Sequence, residues 1–246
     1  MSDQVAAATF VLVHSSSVGP ATWAAVAGEL RSRGQRVEVP SMLGLADEGP
    51  PYAHAYIDRA AAALASLPLD PSLVLVAHSN VGLFLPAIAE SLAPRRLVLV
   101  FADASVPPIE GGDVELAPPA FLDELRAMAV DGVLPRWSEW WPDETTAGLF
   151  PDLVTRQLVA AEEPRLPVSF YEEKLSVAAG WAQRPCGYLR LSEGYEAEAA
   201  AAGELGWPIR RLSGEHLHMM VDAEGVAQAL QSLAGILISR TAGEEA

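Results

Sequence analysis

The run Leu73-Val-Leu-Val-Ala77 leads through His78 into Ser79 without a glycine, proline or charge to interrupt it. A strand that is apolar at every position has two faces to bury, so it belongs inside a parallel sheet covered by helices on both sides. The helix-like stretch Val81 to Leu92 follows almost at once, and Pro86 within it is expected to bend or distort that helix. The chain therefore passes from a buried strand to a helix across a single sharp turn. Ser79 stands at that turn.

The same alternation extends along most of the chain. Thr9 to Val13 and Arg36 to Pro40 read as strands, separated by a helix from Pro20 to Arg33 that carries Trp23, Val26 and Leu30 at helical spacing before Gly34. Ala53 to Leu67 reads as an alanine-rich helix and Leu97 to Ala102 as another buried strand. The pattern stops at Pro107 and resumes near Pro185; the stretch between is rich in proline, acids and tryptophan. Beyond it come a strand from Gly187 to Leu191, a helix from about Glu196, a strand from Pro208 to Leu212, and a last helix with Val226, Leu230 and Leu233. Strands alternating with helices imply an α/β class with a mostly parallel sheet flanked by helices. The expected organisation is a core of residues 1–106 and 185–246 with a helical cap, residues 107–184, inserted as part of one structural unit. The end of the chain, Arg240 to Ala246, reads as a disordered tail.

Composition narrows the class of partner. With 246 residues the chain suits one α/β domain with an inserted cap. Its 32 acids outnumber 16 bases, and Lys174 is its single lysine, which excludes nucleic acid and an anionic membrane surface as main partners. Cys186 stands alone, so no disulfide within the chain and no cysteine-based metal site is available. The opening Met1-Ser-Asp-Gln has no positively charged leader and no membrane span follows, so a soluble cytoplasmic protein is expected. Oligomeric state, monomer or homodimer, is open.

At three places the chain resembles the α/β-hydrolase superfamily. Ala77-His-Ser79-Asn-Val81 is similar to the family's nucleophile elbow, small-x-Ser-x-small, although Val81 departs from the small residue and Gly82 follows one position later. Val13-His14-Ser15-Ser16 resembles the family's His-Gly oxyanion turn with serine in place of glycine. Ser213-Gly-Glu-His216, before the last helix, resembles the family's histidine loop, and the order of nucleophile first and histidine last agrees. The resemblance spans nearly the whole chain and implies an α/β-hydrolase fold with a shortened N-terminal part, lacking the family's first two strands.

It also implies a site. A serine hydroxyl needs a base to accept its proton; two histidines compete, His216 matching the family loop better than His218, which is left as a pocket-wall or supporting residue. His216 and His218 as a metal pair lack a third ligand, so no metal and no cofactor is expected. His14 and His78 are read as hydrogen-bonded supports of their turns. The acid is Asp103, at the end of the strand after the nucleophile helix, or alternatively Glu193, because the segment Leu189 to Glu196 has no Gly-x-x-Asp turn. The backbone amides of Ser16 and Asn80 would form the oxyanion hole, with Ser15 adding a hydroxyl to the pocket. Trp137, Trp140 and Trp141, with Phe121, Met128, Leu134 and Phe150, are read as an aromatic and apolar ceiling over a hydrophobic small-molecule substrate. The implied function is a serine esterase acting on an ester, thioester or lactone through a catalytic triad. The alternative is a fold redirected to lyase, isomerase or cyclase chemistry on the histidine base, or to binding a small molecule, and fold analogy alone does not decide between them.

Overall fold

A computed structural model of the chain describes residues 8–65, 67, 72–92 and 97–243. Strand β1 (Thr9–Val13) is followed by helix α1 (Ala24–Ser32), β2 (Arg36–Glu38), α2 (Tyr52–Leu64), β3 (Leu73–Ser79), α3 (Leu85–Ser91) and β4 (Leu97–Ala104). The excursion after β4 holds β5 (Gly112–Glu115), α4 (Pro119–Met128), α5 (Asp143–Thr146), α6 (Leu153–Glu162), α7 (Val168–Glu172) and β6 (Lys174–Val177). The chain then returns through β7 (Cys186–Ser192), α8 (Glu196–Glu204), β8 (Ile209–Gly214), α9 (His218–Val221) and α10 (Ala223–Gly243).

Six strands form one sheet in the order β2-β1-β3-β4-β7-β8, and every pairing is parallel. Because side chains alternate across a strand, each apolar run feeds two cores. Leu73, Leu75 and Ala77 join Leu99 and Phe101 beneath α2, α3 and α8, whereas Val74 and Val76 join Val98, Val100 and the residues of α1 and α10 on the other face. Both faces being dry, truncating a residue such as Leu75 to alanine costs about 2–5 kcal/mol. All strand carboxyl ends point to one edge, where the loops after β1, β3, β4, β7 and β8 meet.

Three expectations are corrected. The segment after Ser79 is not one bent helix: a 3-10 turn, Asn80–Phe84, comes first, and Pro86 lies in the first turn of α3, where its missing N–H has no intrahelical partner to lose. The excursion is not wholly helical, since β5 and β6 pair as an antiparallel ribbon. Gly112-Asp-Val-Glu115 has one buried side chain and no apolar run, so its strand character depends on its pairing with β6. Arg240 to Gly243 belong to α10 rather than to a tail, and residues 244–246, like Met1 to Gln4, lie outside the described residues. No helix among the described residues is long and apolar enough to cross a membrane.

Candidate active site

Ser79 ends β3 with φ 64° and ψ −141°, a left-handed backbone on a residue with a Cβ. Such a conformation costs about 1–3 kcal/mol and persists only where the surroundings enforce it. Here the enforcing contacts are visible. Ser105 N–H donates to the Ser79 carbonyl at 3.1 Å, and the β3–β4 register slips between His78 and Ser79. The close approach of elbow to β4 falls on Gly82, where an added Cβ would lie 2.2 Å from the Ser105 carbonyl oxygen and 3.0 Å from the Ala104 Cβ. Val81 is buried in the core instead. The small residue the elbow needs thus stands one position later than in the family pattern, because the 3-10 turn rotates residue 82 rather than 81 toward β4.

Asp103, at the end of β4, is also held at positive φ, 44°, and is fully buried. Its Oδ1 accepts from the backbone N–H groups of Leu191 (2.6 Å) and Ser192 (3.0 Å), and its Oδ2 accepts from the Ser192 hydroxyl and from His216 Nδ1 (3.0 Å). A carboxylate only accepts, so Nδ1 of His216 carries the proton and Nε2 is left unprotonated, the state a base requires. The His216 ring lies between two others. His78 packs on one side, centroids 4.3 Å apart at 33°, and Tyr195 stacks on the imidazole at 5.0 Å and 5°.

The neighbouring histidines are neutral supports. His78 Nε2 faces the His216 carbonyl at 2.9 Å and so donates to it, while burial pushes the His78 pKa well below its ordinary value. An uncharged ring beside His216 leaves an imidazolium there unopposed. His14 Nδ1 donates to the Ser15 carbonyl (2.8 Å) and its Nε2 accepts from Met42 N–H (3.1 Å); burial lowers its pKa to about 4. The serine turn after β1 is tied to the elbow: Ser15 Oγ and Ser16 Oγ donate to Asn80 Oδ1 at 3.3 and 3.1 Å, and Asn80 Nδ2 faces Ser16 Oγ at 2.9 Å. Ser17 Oγ and the Tyr171 hydroxyl, 2.6 Å apart, join the same turn to the excursion. These bonds tie the side chains of the serine turn to that of Asn80.

These groups open on a cavity of about 560 Å³ lined by Ser15, Ser79, Asn80, Tyr195, His216, Phe121 and the three tryptophans Trp137, Trp140 and Trp141. Other expected residues fall elsewhere. His218 does not line this cavity: two residues beyond His216, at the start of α9, it turns against Gly214 and toward Asp222 (3.9 Å). Leu134 and Phe150 are core residues and Met128 packs at the core's edge, leaving Phe121 as the ceiling residue of that group. Glu193 is exposed and makes no hydrogen bond to His216. Sequence reasoning did not identify Ser192 or Tyr195; the only signal was their place at the end of β7 and in the turn after it, one strand over from Asp103. Among the described residues, no group of three or more His, Cys, Asp or Glu side chains is arranged to hold a metal ion.

The fold places the chain in a known class. An extracellular alpha/beta-hydrolase from a Paenibacillus species superposes with a TM-score of 0.69 at 21% identity, covering 92% of this chain and 98% of that one. Polyneuridine aldehyde esterase gives 0.68 at 19% (93% and 99%), and a variant of tomato methylketone synthase I gives 0.69 at 18% (94% and 99%). The chain has the α/β-hydrolase fold. Among curated proteins it is similar to a carbendazim hydrolyzing esterase from Nocardioides sp. (strain SG-4G), 31% identical over 132 residues, which make up 51% of this chain and 53% of that protein. The chain thus spans about half the length of this curated relative, and no family model matches it.

Proposed function

We propose that this chain is a serine hydrolase that cleaves an ester, thioester or lactone of a hydrophobic small molecule through an acyl-enzyme. The observation that carries the reading is the buried Asp103–His216 contact at 3.0 Å, opening on the same cavity as a serine in strained elbow geometry. Ser79 Oγ attacks the carbonyl carbon as His216 Nε2 takes its proton. Asp103 holds the imidazole in the required tautomer and stabilises its cation without itself being protonated. The amides of Ser16 and Asn80 receive the developing oxyanion, each worth about 3–4 kcal/mol in the transition state. His216 returns the proton to the leaving oxygen or sulfur; water, activated by the same base, then releases the acid.

In this reading residues 107–184 act as the cap of the core formed by 1–106 and 185–246, and Trp137, Trp140 and Trp141 supply its apolar surface to the substrate. The likeness to esterases supports the reaction class, and the apolar lining supports a hydrophobic acyl or alcohol part. The test is intact-mass analysis after fluorophosphonate treatment of wild type, Ser79→Ala and His216→Ala. Stoichiometric labelling of wild type that vanishes in both variants is expected. A folded wild type that takes no label refutes the acyl-enzyme and leaves non-hydrolytic chemistry on His216, or ligand binding, in its place.

A further inference from the structure

Tyr195 ends the 3-10 turn after β7, and it faces the cavity that holds both groups on which the hydrolase reading rests. Its ring lies flat on the His216 imidazole, 5° from parallel at 5.0 Å, and its side chain lines the cavity. Its phenol shares that cavity with Ser79. Burial pushes that phenol up to about 12, against the opposing pull of Ser79, so it remains a protonated donor throughout the neutral range.

Sheet order decides which atom this donor meets. Ser16 follows β1 and Tyr195 follows β7, so the two stand on opposite flanks of Ser79 at the tip of β3. A tetrahedral carbon bonded to Ser79 Oγ that turns its oxyanion toward the Ser16 and Asn80 amides turns its remaining polar substituent, the leaving group, toward the other flank. That flank carries His216 and Tyr195.

We propose that Tyr195 is a catalytic leaving-group donor: its phenol O–H hydrogen-bonds the departing ester oxygen while its ring holds the His216 imidazole against that same atom. The inference rests on the acyl-enzyme reading and adds a residue to it. No second proton is transferred. The bond from Ser79 Oγ to the acyl carbon forms as His216 takes the serine proton; the bond from acyl carbon to leaving oxygen breaks as His216 gives that proton up. Tyr195 keeps its proton and shares it with the oxygen while charge is greatest. The stack on His216 positions the phenol before substrate arrives.

The experiment is a leaving-group series on wild type, Tyr195→Phe and Tyr195→Leu, using esters of one hydrophobic acid with alcohols from 4-nitrophenol to a simple aliphatic alcohol. A donor matters most where the departing oxygen carries most charge. Tyr195→Phe, which keeps the ring, is expected to lose about 10- to 100-fold in kcat/KM on the aliphatic ester and less than about 3-fold on the nitrophenyl ester, the range a hydrogen bond to a charged oxygen supplies. Fluorophosphonate labelling of Ser79 in Tyr195→Phe should stay within about 3-fold of wild type, since the fluoride it expels is a good leaving group. Tyr195→Leu, which also removes the stack, should label more slowly. A uniform loss across the series, or no loss, overturns the proposal while leaving Ser79 as nucleophile. A wild type that neither labels nor hydrolyses any ester overturns the acyl-enzyme reading and this proposal with it.

Discussion

Replacing Asp103 by asparagine separates the charge of this side chain from its shape. Oδ1 accepts two backbone N–H groups, from Leu191 and Ser192, neither of which can turn away, so the amide oxygen must take that place. The amide nitrogen then replaces Oδ2 and meets the Ser192 hydroxyl and His216 Nδ1. The hydroxyl can rotate to accept. The imidazole can accept only by moving its proton from Nδ1 to Nε2, which removes the lone pair that Ser79 needs. Holding the wrong tautomer in such a site costs about 10³- to 10⁴-fold in kcat, or about 4–5.5 kcal/mol at 1.36 kcal/mol per decade. The fold should lose much less, about 1–3 kcal/mol, because all four contacts survive, two of them with donor and acceptor exchanged. Hydrolysis of a 4-nitrophenyl ester, with urea unfolding of the same samples, reads both quantities. Asp103→Asn retaining more than about one tenth of wild-type activity would refute the tautomer argument. Glu193→Gln is the matched control: Glu193 is exposed, so its loss should leave activity unchanged, and a large effect there would transfer the acid's role to it.

Other consequences follow from the same contacts. Gly82→Ala places a Cβ 2.2 Å from the Ser105 carbonyl oxygen and should lower both the unfolding midpoint and the rate of fluorophosphonate labelling, by about 2–3 kcal/mol in stability; unchanged labelling would show that the elbow tolerates the shift. Ser79→Gly relieves a positive φ and should raise stability by about 1 kcal/mol in urea unfolding while abolishing labelling. His14, with a pKa near 4 against an ordinary value near 6.5, binds fewer protons folded than unfolded between those values, so stability rises with pH there. Passing from pH 7.5 to pH 5 should cost about 2 kcal/mol through this group, with His78 adding in the same direction, and a flat profile in urea unfolding would contradict the neutral assignment. Trp137→Ala opens the cavity wall and should raise KM for hydrophobic esters by about 10-fold with little change in kcat, as removal of uniform binding does; a matching fall in kcat would instead implicate it in the transition state.

What the sequence determined by itself was the architecture. Periodicity is local: short apolar runs such as Leu73 to Ala77 and Leu97 to Ala102 read as strands buried on both faces, and six strand signals alternating with helices imply a parallel sheet. Ser79 and His216 were legible as candidates for the same reason, each marked by its position at or just after the end of a strand. The tertiary structure decided everything that depends on which loops meet. On the chain Asp103 was the preferred acid and Glu193 the alternative; β4 pairing with β7 brings Leu191 and Ser192 over Asp103, while the turn after Ser192 leaves Glu193 in solvent. The elbow's departure at Val81 was visible, but only the close approach of Gly82 to Ser105 shows how the crowding is relieved. Ser192 and Tyr195 were illegible because neither carries a local signature. Ser192 meets the Asp103 carboxylate and Tyr195 meets the His216 imidazole only in the folded chain, and those juxtapositions are a property of strand order rather than of residue type.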